Sequence, residues 1–324
     1  MLFPLLAIAV GGGAVIALAT WAGVQAIGDE VWRAGWVVAP AALLGVWQIH
    51  ASALAWRISV GRDAAGTGRP RTSRYFRIRW MREAVNNLLP VAQLGGNILG
   101  VRLLVQRGVP VATATAGTTL DITVEVVTQF IYTAAGFAVL GLTGPPGGAP
   151  WVIGTLGVMG GCIGGFIAAQ RFGLMRIIEA LMRPLARVFP GLTIETARGL
   201  HAELMRLQRD TPALLAAGAW HLGAWVSGVA ETWAVLWAMG HGDNLAAAFV
   251  IESLGMAARS AGFAVPGALG VQEGGFVLVA GLYGIPADAA VALSMVKRAR
   301  EILVCVPGLI MWQWAEGRRL LRRG

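Results

Sequence analysis

Charge is scarce in this sequence. Asp, Glu, Lys and Arg make up 13% of its 324 residues, and three long stretches, 1–28, 34–56 and 126–170, contain none of them. With 56% hydrophobic residues the chain cannot be disordered, and a water-soluble domain is disfavoured. Cysteine is limited to Cys162 and Cys305, both in apolar runs, so there is neither a disulfide framework nor a zinc spacing. His50, His201, His221 and His241 are scattered, with no Cys or carboxylate at metal-binding spacing, and read as span-end or core histidines. No Walker A loop occurs, and the glycine clusters lack the strand and helix context of a dinucleotide site. ATP-driven transport by this chain alone is therefore not expected, and no cofactor or metal is implied.

Glycine, by contrast, is abundant, at 45 residues spread through apolar segments without a collagen period. Small residues of this kind let helices approach closely inside lipid. The 26 basic residues outnumber 17 acidic ones, which could suggest nucleic acid as a partner, but their placement argues otherwise. Arginines cluster at 57–82, 171–209 and 318–323, in short segments beside apolar spans, which is the positive-inside pattern. Lys297 is the single lysine. So strong a preference for Arg suits phosphate binding, although a GC-rich coding bias accounts for it more simply.

A helix needs about 20 apolar residues to cross the hydrocarbon core. Spans are expected near 3–27, 34–56, 110–142, 149–170, 211–239 and 245–264, with 266–285 and 287–316 as two further, interrupted ones. The expected fold is an all-α integral membrane protein of about eight transmembrane helices, forming one polytopic domain over 1–324. The first apolar run is preceded by no Lys or Arg and exceeds a signal h-region, so it reads as a retained span. Placing the arginine clusters in the cytoplasm puts both termini inside. Residues 171–210 alternate arginines with leucine and isoleucine, as in a helix lying on an anionic surface, with Pro184 breaking it. Trp21, Trp32, Trp36, Trp151, Trp312 and Trp314 near span ends suit interfacial anchoring.

The stretch AVNNLLPVAQLGGNILGVRLLVQR, 84–107, is neither a clean span nor a soluble loop. Pro90, Gly95, Gly96 and the nearby Asn and Gln side chains favour a broken, re-entrant segment, which needs protein or a wet cavity to satisfy its backbone. Shifting the sequence by 176 residues sets Pro90 on Pro266, Gly108 on Gly284, Pro110 on Pro286, Asn97 on Glu273, Asp121 on Lys297 and Glu125 on Glu301. Two repeats, about 34–143 and 211–319, follow, with Pro266 and Gly270 marking the second break. The positive-inside topology makes them inverted, a common transporter plan with the substrate near the midplane.

Ionisable residues inside lipid cost on the order of 2.5 to 3.5 kcal/mol each and demand partners or water. Asp121 and Glu125 share one helix face, Lys297, Arg300 and Glu301 another, and Glu231, Glu252 and Arg259 lie in apolar surroundings. The acids of the first repeat and the bases of the second can neutralise each other, either as a structural network or as a cavity for a lipid head group or protons. Arg82 and Arg102 could fork onto phosphate, with Asn87 and Asn97 donating to hydroxyls; capping around Pro90 explains the same residues equally well.

The runs REAVNNLLPVAQLGGNILGVRLL, VIESLGMAARSAGFAVPGALGVQEGGF and SMVKRAREILVCVPGL closely resemble the hopanoid-biosynthesis-associated membrane proteins. These belong to the group sharing the flippase-like transmembrane region of lysylphosphatidylglycerol synthases, and the resemblance covers nearly the whole chain. It implies a lipid-handling protein with matching positions at Glu83, Asn87, Pro90, Gly95, Gly96, Arg102 and Asp121, then Glu252, Pro266, Gly270, Glu273, Lys297, Arg300 and Glu301. Position 97 departs: relatives usually carry an acid after the paired glycines, and here it is Asn97, which retains hydrogen bonding but not proton coupling. Nothing after Gly324 could supply the aminoacyl-transfer domain of the synthase branch, so no enzyme is expected. The implied partners are membrane lipids, hopanoid or phospholipid. The competing reading is a non-transporting assembly factor that recruits hopanoid-biosynthesis enzymes through 57–82 and 171–209.

Overall fold

The computed structural model describes residues 2–61, 71–89, 95–144, 194–262 and 265–320. Among them the regular structure is entirely helical. The expected span at 149–170, Pro90, Cys162 and the arginine-rich stretch 171–193 lie outside the described residues.

The described helices, in chain order, begin with α1 (Leu2–Ala22), α2 (Val24–Ala34) and α3 (Val38–Val60), the last two joined by a 3-10 turn at Gly35–Val37. Next come α4 (Thr72–Leu88), α5 (Gly95–Val105) and α6 (Val111–Thr143). After them follow α7 (Ile194–Gln208), α8 (Thr211–Ala238), α9 (Leu245–Ala261), α10 (Val271–Gly281) and α11 (Ala287–Leu320). Local sequence sets several starts. Asp210 accepts from the Ala213 amide at 3.1 Å and Pro212 enters the first turn of α8; Asn244 accepts from the Ala247 amide at 3.0 Å to open α9.

Three stretches, 24–60, 111–143 and 211–238, are long and apolar enough to cross a membrane. Helix α11 has the length, at 34 residues, but carries Lys297, Arg298, Arg300 and Glu301 within it. Helices α5 and α10 have 11 residues each and are about 16 Å long, roughly half the hydrocarbon thickness.

Two cores form. One gathers Trp56, Tyr75, Ile78, Leu103 and Leu104 from α3, α4 and α5. The other gathers Val235, Ile251, Phe276, Leu293 and Val296 from α8 to α11, with Ile27 of α2. Helix α3 packs on α8, α4 on α11 and α6 on α9, and two further contacts run between α3 and α11 and between α6 and α8. These pairings join the chain's first half to its second and leave polar faces of α3, α4, α6, α8, α9 and α11 turned to a common interior.

Helices α5 and α10 start at 95 and 271 and end at 105 and 281, and α6 and α11 start at 111 and 287, each pair 176 residues apart. The turns before α6 and α11 are built alike. Gly108 (φ 88°) and Gly284 (φ 72°) occupy the left-handed region that favours glycine, and the amides of Val109 and Ile285 each donate to a carbonyl five residues back at 3.2 Å.

Candidate functional site

A cavity of about 460 Å³ lies in this interior, lined from the first half by α3, α4, α5 and α6 and from the second by α8, α9, α10 and α11. Its walls are built around two buried charge networks.

In the first half, Arg79 and Arg82 stand three residues apart on α4 and face Asp121 and Glu125, four apart on α6. Arg79 donates to Asp121 Oδ2 at 2.9 Å and to both Glu125 oxygens at 3.0 and 3.2 Å, and Glu83 Oε1 lies 2.6 Å from its Nε. Arg82 donates to the same Asp121 oxygen at 2.8 Å, and its guanidinium carbon sits 5.2 Å from the centre of the Trp56 ring. Trp56 is fixed in turn by donating to Thr118 Oγ1 at 3.1 Å. Asp121 is fully buried, and its second oxygen meets His221 Nε2 of α8 at 3.0 Å.

In the second half, Lys297 lies 2.9 Å from Glu252 and 3.5 Å from Glu231, and donates to Thr232 Oγ1 at 3.2 Å. Arg300 forks onto Glu231 at 2.9 and 2.8 Å. Arg259 grips Glu301 at 2.6 and 3.0 Å, donates to Gln272 at 2.6 Å, and reaches across to Asn87 of α4 at 3.2 Å.

The two broken segments provide the ends. The Gly96 amide donates to Asn86 Oδ1 at 2.8 Å, and a side chain at position 96 would collide with the Arg82 carbonyl, so glycine permits the close return of α5 beside α4. In the second half Glu273 accepts from the Gly270 amide at 2.7 Å, opening α10, and also from Ser294 at 3.0 Å and Arg298 at 2.6 Å. Arg298 donates in addition to the Gly267 carbonyl at 3.0 Å, tying down the kinked turn after Pro266.

Of the residues singled out in the sequence, Glu83, Asn87, Asn97, Glu125, Glu252, Lys297, Arg300 and Glu301 line the cavity. Asp121 lies behind that lining, beneath Arg79 and Arg82, while Glu273 serves the turn at α10. Arg102 stands apart and pairs with Glu316 at an exposed position. Asp121 and Glu125 do not meet Lys297 and Arg300: Arg79 and Arg82, on the neighbouring helix, satisfy the two acids, and Glu231 and Glu252 satisfy the two bases. Sequence reasoning missed Arg79, one of many arginines in a topological cluster, although its spacing from Arg82 and Glu83 matches the facing pair on α6. It also missed His221, whose partner lies 100 residues away.

Asp121, Glu125 and His221 bring ligand-type atoms within 4.8 Å of one another. Their carboxylates are already bonded to guanidinium groups, which a cation would have to displace. As it stands, the arrangement can hold a polar, hydrogen-bonding group between two walls of paired charges.

The family described as Lysylphosphatidylglycerol synthase TM region matches residues 5–308. This chain belongs to that family. The match includes every cavity-lining residue, so the site is part of what the lysylphosphatidylglycerol synthase TM region comprises. Membership gives the chain a place among membrane-embedded proteins with lipid-related function. No curated protein and no solved structure matches the chain.

Proposed function

We propose that the protein is a flippase-like lipid translocase, and that its cavity receives the polar head of an amphiphile during passage between leaflets. The observation that carries this reading is a polar cavity walled by helices of both halves, in a family with lipid-related function. A head group entering it trades water for fixed hydrogen-bonding groups: the Asn87 and Asn97 amides, Ser52, Gln48 and the edges of the ion pairs. Hydroxylated or phosphorylated amphiphiles suit this inventory, and resemblance to hopanoid-associated proteins nominates hopanoids and related lipids. The proposed activity is movement without covalent chemistry.

The halves, in this reading, are inverted repeats. The common offset of 176 residues supports it, and so do the helix contacts: exchanging α3 with α8, α4 with α9, α5 with α10 and α6 with α11 turns the α4–α11 contact into α9–α6 and the α3–α11 contact into α8–α6. Helices α5 and α10 are then re-entrant arms, and the arginine distribution supports a topology with both chain ends in the cytoplasm of a bacterial cell.

The test is leaflet-resolved movement of a labelled panel, a hydroxylated hopanoid and phosphatidylglycerol among them, in proteoliposomes containing the purified protein. Gln48→Trp, which fills the cavity from α3, should slow movement of the favoured lipid at least tenfold while the protein stays folded. Equal rates with and without the tryptophan, or no movement at all, would reject the translocase and leave the assembly-factor reading.

A further inference from the structure

We infer that His221 is a proton-binding site, charged and discharged from the cavity, whose proton strengthens the bond between the two halves at Asp121. The inference deepens the translocase reading by naming a coupling ion, and for its consequence on transport it rests on that reading.

The first observation is one of charge. Around the cavity, Glu83, Asp121, Glu125, Glu231, Glu252 and Glu301 face Arg79, Arg82, Arg259, Lys297 and Arg300. Six carboxylates meet five permanent bases, and the titratable group remaining in the network is His221. A proton on its ring brings the two signs level, and in surroundings of low dielectric an uncompensated charge is costly.

The second observation is position. His221 is 1% exposed and belongs to α8 of the second half, whereas Asp121 belongs to α6 of the first. Among the described residues the guanidinium–carboxylate pairs around the cavity each stay within one half, and Arg102 with Glu316 joins the halves only at an exposed position away from it, so the His221 to Asp121 contact is the buried acid–base bridge between them. Other crossings there involve uncharged partners: Asn87 with Arg259, Trp80 with the Val304 carbonyl, and Gln129 with Ser260.

The third is geometry. Asp121 Oδ2 already accepts from two guanidinium groups, which keeps the carboxylate an acceptor, so Nε2 of His221 must carry the hydrogen directed at Oδ1. The nitrogen that gains and loses a proton is then Nδ1. His221 lines the cavity, where water can deliver that proton and take it back. The proton converts a neutral donor into an imidazolium against a carboxylate, a stronger bond across the seam. Imidazole is the side chain that changes charge near neutral pH.

The remaining charged surroundings do not supply a substitute. Helix α6 faces the ring with Asp121 and Glu125, and α4 stands behind them with Arg79, Arg82 and Glu83. Across the cavity, α9 carries Glu252 and Arg259, and α11 carries Lys297, Arg300 and Glu301, all paired as described; Glu231 is the other ionisable group on the inner part of α8. Helix α3 brings Gly45, Gln48, Ile49 and Ser52 to this wall, all uncharged. The turn after α2 meets α8 at Trp237, more than four helical turns from His221.

Two measurements on the full chain test the inference. A variant carrying His50→Gln, His201→Gln and His241→Gln keeps His221 as its one imidazole, and its ring nitrogen resonances are followed against pH in nanodiscs. Resonances that move as the ring takes up its proton are expected; resonances that stay fixed at every pH the folded protein tolerates overturn the proposal regardless of any transport result. In proteoliposomes under an imposed pH gradient, one coupled proton should shift the steady-state leaflet ratio of the transported lipid about tenfold per pH unit. His221→Gln, which can still donate to Asp121, should lose that response of the leaflet ratio to pH whatever its rate of downhill movement, and a retained response overturns the coupling. A histidine that titrates in a protein that moves no lipid upholds the proton site and sinks the translocase reading instead.

Discussion

At Arg79 three carboxylates converge on one guanidinium: Asp121, Glu125 and Glu83, at 2.9, 3.0 and 2.6 Å. Removing a base from such a site leaves charges with no partner in a medium that solvates them poorly, and the penalty is about 3 to 5 kcal/mol. Arg79→Met should therefore lower the melting temperature of the purified protein steeply. Adding Glu125→Gln to that variant should recover part of the loss, because the second change removes one of the orphaned charges. A melting temperature unaffected by Arg79→Met would show that the network contributes nothing to stability. The residue types at this site were legible in the sequence and their partners were not. Asp121 and Glu125 stood out as charges in an apolar run, but Arg79 was hidden among eight arginines between 57 and 82, read collectively as a cytoplasmic marker. His221 was hidden by distance, since no local spacing announces a contact closed over 100 residues. Glu273 was legible as important for a different reason: its proline and glycine neighbours made a break visible, and the structure employs it to fasten that break.

At the scale of helices, the short arms α5 and α10 depend on glycine at the points where they touch their neighbours. A side chain at position 255 of α9 would run into the ring of Phe276, a fully buried residue of α10. Gly255→Val should push the two helices apart and cost about 1 to 3 kcal/mol, the range for overpacking a tight contact. The pairing Gly255→Val with Phe276→Leu should be less destabilised than Gly255→Val alone, and thermal unfolding of both proteins decides the matter. Element boundaries were the most legible part of the fold. Gly-x-Pro at 108–110 and 284–286 marks the starts of α6 and α11, and the apolar runs mark α3, α6 and α8. Less legible was how α9 and α11 would be tolerated, because their charges look expensive until the partners that neutralise them are known.

At the scale of the whole molecule, the seam between halves runs along the α3–α8, α4–α11 and α6–α9 contacts. If lipid passage needs the halves to shift along it, fastening the seam should stop passage without touching the cavity's charges. Gln129 of α6 and Ser260 of α9 approach to 2.5 Å and are suitable anchors. The double variant Gln129→Cys with Ser260→Cys, joined by a short bis-methanethiosulfonate cross-linker, should lose lipid movement and regain it when the link is reduced. Undiminished movement in the linked protein would mean that passage proceeds with this part of the seam closed.

The containment within each half of the lysine and arginine pairs that line the cavity also bears on how the protein is made. A ribosome delivers the first half to the membrane before the second exists. Were Asp121 and Glu125 to rely on Lys297 and Arg300, these acids would wait in lipid without a counter-charge for the time needed to synthesise well over a hundred residues. Because Arg79 and Arg82 precede them in the chain and pair with them directly, the early helices can be neutralised as they enter the bilayer. In the later half Glu231 and Glu252 come ahead of Lys297 and Arg300, so these acids wait for partners made within the same half and not for another half still to be synthesised. The order of residues along the chain thus doubles as an order of insertion.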